Sequence, residues 1–151
     1  MRATILLLED DVVLQDLLRE VLQDEGYQVV AADNLPHLLE AAPAQADLLV
    51  TDLLVNFQMV GLQAIQEVRQ AIGADLPALI CTAALRQLEM LEPEIAQLRA
   101  QVLHKPFTID ELVDVVREAL RPTEALCRTV GAESVPAEPH LISPFLRTSL
   151  V

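Results

Sequence analysis

The chain has 151 residues, of which 52% are hydrophobic and only 3% aromatic, with no tryptophan and a formal net charge of −13. That length and apolar content fit one domain with an aliphatic core and exclude a chain disordered throughout. The negative balance speaks against direct DNA binding, which needs Lys and Arg to neutralise phosphates, and against docking on an anionic membrane. Two distant cysteines, Cys81 and Cys127, match neither a disulfide framework nor a zinc spacing, so a cytoplasmic setting is expected. The opening "MRATILLLEDD" is too short in apolar length for a signal peptide, and no apolar run approaches the roughly 18–20 residues of a membrane helix.

In chain order, "ATILLL" (3–8) reads as a buried strand. "VVLQDLLREVLQDEG" (12–26) places apolar residues at 14, 17, 18, 21 and 22, which is helical spacing, and Gly26 stands where a C-terminal cap belongs. "YQVVAA" (27–32) is a second strand. Asn34 resembles an N-cap, with Pro36 in the first turn of the helix that follows. "DLLVT" (47–51) predicts a third strand, "GLQAIQEVRQAI" (61–72) a third helix and "PALICT" (77–82) a fourth strand. "LRQLEMLEPEIAQLRA" has helical composition, but Pro93 inside it predicts a kink or two short helices. "QVLH" (101–104) is the fifth strand. "TIDELVDVVREAL" (108–120) is a helix opened by a capping box of Thr108 and Glu111.

Strands alternating with helices predict a parallel sheet covered on both faces. The expected architecture is an α/β, flavodoxin-like (βα)5 doubly wound sheet of strand order 2-1-3-4-5 over residues 1–121. Residues 122–151 hold four prolines and no clear period, and read as an irregular or docked tail.

In such sheets chemistry sits beyond the carboxyl ends of the strands. Glu9 and Asp10 follow the first strand, Asp52 the third, Thr82 ends the fourth, and Lys105 follows the fifth. Strands 1, 3, 4 and 5 are neighbours in the proposed order, so these groups converge. Three carboxylates make a hard oxygen site suited to Mg2+, with a lysine and a hydroxyl at hand for phosphoryl oxygens. Asp11 reads as the N-cap of the first helix, Cys81 as a buried small hydrophobe, and His37 and His104 as structural or exposed.

The stretches "ILLLEDD" (5–11), "DLLVTDLLVNFQMVG" (47–61), "PALICTA" (77–83) and "HKPFTIDEL" (104–112) resemble a bacterial two-component response-regulator receiver domain over about residues 3–120. The resemblance implies that Asp52 is the nucleophile taking a phosphoryl group from a histidine kinase or phosphotransfer protein. It implies that Asp10, Asp52 and the carbonyl of Leu54 bind Mg2+, with Glu9 acting through water. Lys105 would neutralise the phosphoryl group and Thr82 would swing in to hydrogen-bond it. The Lys105–Pro106 bond would be cis. Output would run through protein contact, with a homodimer as one form, and with no turnover of an external substrate beyond self-catalysed phosphotransfer and autodephosphorylation.

Three departures stand out. Asn56 occupies a place where the family often has Pro. Gly61 comes one residue later than in the commonest pattern, which suggests a one-residue insertion. Val102 replaces the usual aromatic switch residue, so the Thr–aromatic coupling is absent or altered. These departures leave a pseudo-receiver, a binding module acting without phosphorylation, as the alternative. A phosphohydrolase of the haloacid-dehalogenase kind would need a second Asp two residues beyond Asp52, where Leu54 stands. The stretch after residue 121 is too short for a helix-turn-helix output domain, so either a stand-alone regulator or a piece of a longer protein is expected.

Overall fold

A computed structural model describes residues 2–121. Five parallel strands, β1 (Thr4–Leu8), β2 (Gln28–Ala32), β3 (Leu48–Thr51), β4 (Ala78–Thr82) and β5 (Gln101–His104), lie in the order β2-β1-β3-β4-β5. Six helices connect or follow them: α1 (Val12–Asp24), α2 (Leu35–Ala41), α3 (Gly61–Ala71), α4 (Leu85–Met90), α5 (Glu92–Gln97) and α6 (Ile109–Ala119). The flavodoxin-like order expected from the sequence is therefore present.

Strand side chains alternate between two cores. Leu6, Leu8, Leu49, Ala78, Ile80 and Val102 meet Leu35 and Leu38 of α2, Ile65 and Val68 of α3, Leu88 of α4 and Ile95 of α5. Ile5, Leu7, Leu48, Val50, Leu79, Cys81 and Leu103 meet Leu18 and Leu22 of α1 and Leu112, Val115 and Val116 of α6. Burial on both faces explains why β1, β3 and β4 read as unbroken apolar runs. Cys81 is buried, as expected, and the low-dielectric surroundings push its thiol up to about 12.

Helix ends follow their local chemistry. Asp11 has an extended backbone, and its carboxylate accepts from Leu14 N–H at 3.2 Å. Gly26 (φ 97°) closes α1, its N–H donating to the Gln23 carbonyl at 2.9 Å. Asn34 caps α2 by accepting from His37 N–H at 2.9 Å. Both halves of the Thr108–Glu111 capping box form. The helical stretch around Pro93 resolves into two helices. Pro93 lies in the first turn of α5, where its missing N–H has no partner to lose.

Candidate functional site

Every strand but β2 delivers a chemical group to one edge of the sheet. Glu9 extends β1 by one pairing step, its N–H donating to the Ala32 carbonyl at 3.1 Å, and is only 3% exposed. Asp52 directly follows β3, with its N–H on the Leu8 carbonyl at 3.3 Å. Lys105 directly follows β5, with its N–H on the Thr82 carbonyl at 2.9 Å. The parallel register thus brings chain-distant residues to one level.

The Lys105 ammonium lies 2.8 Å from Glu9 Oε1 and 2.8 Å from Asp52 Oδ2. Asp52 Oδ1 also accepts from Leu54 N–H at 3.2 Å, and Glu9 Oε2 from Asp11 N–H at 3.2 Å. Burial raises the pKa of Glu9, and the hydrogen bond and charge of Lys105 only partly oppose it. Burial also works against the charge of Lys105, but the hydrogen bonds and charges of Asp52 and Glu9 outweigh it and hold its pKa raised. Lys105 is therefore a cation and Asp52 has a fixed countercharge. Glu9 carries a cost of ionisation that one ammonium leaves partly unmet. The Lys105–Pro106 bond is cis.

Thr82 is buried, and its hydroxyl accepts from Ala84 N–H at 3.1 Å. It has the parity of Ala78 and Ile80, on the face where α4 and α5 pack. Val102 has the same orientation and is buried in that aliphatic core.

Between Asp52 and α3 the chain makes a two-residue hairpin. Val55 and Gln58 exchange backbone hydrogen bonds of 2.9 and 3.0 Å. Asn56 (φ 53°) and Phe57 (φ 63°) are both left-handed, and Phe57 is 96% exposed. Asn56 N–H donates to Asp10 Oδ2 at 2.9 Å, and its side-chain amide donates to the Asp33 carbonyl at 3.1 Å. Gly61 then begins α3 against the peptide of Asp52. A Cβ there would lie 2.6 Å from the Asp52 carbonyl oxygen and 2.8 Å from Leu53 Cα.

Of the sequence-predicted residues, Lys105 contacts both Glu9 and Asp52, and Asp10 accepts from Asn56 N–H in the adjoining hairpin. Leu54 touches Asp52 through its N–H. Among the described residues no three acidic, His or Cys side chains form a ready-made metal cage. The donors nonetheless suit Mg2+, which keeps several waters and takes one or two carboxylates rather than an all-protein cage. All of them are hard oxygens, and the buried Glu9 adds an unmet demand for positive charge. Sequence reasoning missed Gln15, whose side chain donates to the Glu9 carbonyl at 2.8 Å, and the contacts of Asn56. Gln15 sits among α1 polar residues with no distinguishing pattern.

The profile described as the response regulator receiver domain matches residues 5–117. The response regulator MprA of Mycobacterium bovis is 33% identical over 128 residues, which is 82% of this chain and 53% of that protein. The chain spans about half the length of the curated relatives it matches. Among solved structures, the non-phosphorylated HemR receiver domain from Leptospira biflexa matches with a TM-score of 0.70 at 28% identity, covering 80% of this chain and 96% of that one. The chemotaxis response regulator CheY4 of Vibrio cholerae matches with a TM-score of 0.68 at 25% identity, covering 80% of this chain and 100% of that one. A sensor histidine kinase receiver domain from Pseudomonas aeruginosa, with magnesium coordinated in its active-site cleft, shares the fold. It has 24% identity and a TM-score of 0.67, and covers 81% of this chain and 100% of that one.

Proposed function

The chain belongs to the response regulator receiver domain family, and from that premise we propose that Asp52 accepts a phosphoryl group from the phosphohistidine of a histidine kinase or phosphotransfer protein. The observation that carries this reading is the Lys105 ammonium seated 2.8 Å from both Asp52 and Glu9 at the carboxyl edge of the sheet.

An Asp52 carboxylate oxygen forms a bond to phosphorus while the bond from phosphorus to the histidine nitrogen breaks. That nitrogen keeps the electron pair. Two anions must approach for this, and Lys105 offsets their repulsion without rearranging. Asp10, Asp52 and the Leu54 carbonyl would hold Mg2+, with Glu9 acting through water; when bound, the ion supplies further positive charge at the phosphoryl oxygens. The Thr82 hydroxyl, now accepting from Ala84 N–H, would turn its proton to a phosphoryl oxygen and draw the start of α4 with it. The acyl phosphate replaces one negative charge by about −1.5 to −2. That local change is what a downstream protein would read, in the cytoplasm. Hydrolysis of the acyl phosphate resets the domain.

Incubation with acetyl phosphate and Mg2+, or with beryllofluoride and Mg2+, tests this by intact mass and by amide NMR shifts respectively. Wild type should gain one phosphoryl group, and Asp52→Asn none. Equal modification of both, or of neither, would sink the proposal.

A further inference from the structure

We propose that Asn56 is a positioning residue that presents the Asp10 carboxylate to the divalent cation. This rests on the cation reading of the site given above. The Asn56 backbone N–H holds Asp10 Oδ2 at 2.9 Å, while Oδ1 has no protein donor among the described residues. One oxygen is thereby fixed and the other is left for a ligand. The Asn56 side chain in turn holds the Asp33 carbonyl at 3.1 Å, so the hairpin is pinned to the loop after β2 as well as to the loop after β1.

The backbone conformation makes this possible. Asn56 is left-handed (φ 53°), and Asn tolerates that region because its short polar side chain bonds locally. Proline, which the family often carries at this place, has φ fixed near −65° and no N–H, so it could supply neither feature. The partner turn position holds Phe57, a bulky residue, where the left-handed conformation favours glycine. The hairpin therefore keeps its shape against the preference of one of its two central residues.

Asn56→Gly keeps the positive φ and the N–H but removes the tie to Asp33. Phe57→Gly relieves the turn and leaves every Asn56 bond in place. Magnesium titrations followed by amide NMR shifts, at fixed pH and ionic strength, should show Asn56→Gly binding about tenfold more weakly than wild type. Its thermal midpoint should be unchanged. Phe57→Gly should bind as wild type does and melt higher. In the metal-free protein, Asp10→Ala should move the Asn56 amide proton upfield, as loss of a carboxylate acceptor requires. Wild-type affinity in Asn56→Gly, a loss matched by a fall in its midpoint, or an unmoved Asn56 amide each overturns the role of Asn56 alone. A wild type without any magnesium-dependent shift overturns the cation reading beneath it.

Discussion

Glu9 shows most directly how burial and charge compete at single residues. Its folded pKa is raised above the ordinary 4.5. Its contribution to stability is therefore complete below about 4.5, the unfolded value, and is lost as pH rises through the folded value. Glu9→Gln stays neutral throughout. Its stability relative to wild type should increase from about pH 4.5 upward and level off above the raised value, as read by urea denaturation across a pH series. Gly61 is constrained in space instead. Gly61→Ala drives a methyl into the backbone of Asp52 and Leu53, costing about 1–3 kcal/mol. Because the contact is the Asp52 peptide itself, acetyl-phosphate uptake should slow along with the fall in urea midpoint. Glu9, Asp52, Thr82 and Lys105 were legible in the sequence because each ends a strand, and strand order alone makes them neighbours. Asn56 was not. Its partner Asp10 is 46 residues away, and the bond depends on a left-handed turn with Phe57 at its second position. No turn rule expects that residue there.

Elements with chemical punctuation were the readable ones. Asp11, Asn34 and Thr108 announce helices because their side-chain oxygens satisfy free N–H groups, and each makes that bond here. Thr108→Ala removes the acceptor for Glu111 N–H and half of the capping box, and should cost about 1 kcal/mol in urea denaturation. Pro93 divides α4 from α5 for the equally local reason that it lacks a donor. The start of α3 shows the opposite case. Val60 offers no side-chain cap, and the helix is instead set by the Val60 N–H on the Gln58 carbonyl at 2.8 Å and by the Gly61 N–H on the Leu53 carbonyl at 3.0 Å. The one-residue shift of Gly61 was visible as a count. Its form, a hairpin tied to two other loops, follows from tertiary contacts that no local pattern encodes. The same holds for Arg69 of α3, whose guanidinium donates to the carbonyls of Leu76 and Leu98 at 2.9 and 2.6 Å and links the ends of two connections.

For the whole chain, a net charge of −13 opposes compactness through self-repulsion, and dissolved salt screens it. The thermal midpoint should rise as NaCl goes from about 10 to 150 mM, where the Debye length falls from about 30 to 8 Å. A flat or falling midpoint would show that local ion pairs outweigh the overall repulsion. The expected tail, 122–151, lies outside the described residues. The sheet itself was legible because its central strands are buried on both faces, and the 2-1-3-4-5 order is the one expected of a flavodoxin-like doubly wound sheet. That order also bears on how the protein is made. Lys105 pairs with Glu9 across 96 residues and with Asp52 across 53, and its strand is the last of the five among the described residues. A nascent chain on the ribosome therefore carries both acids before their shared cation emerges. A chain stalled before Lys105 has the acids but not the charge that holds them together.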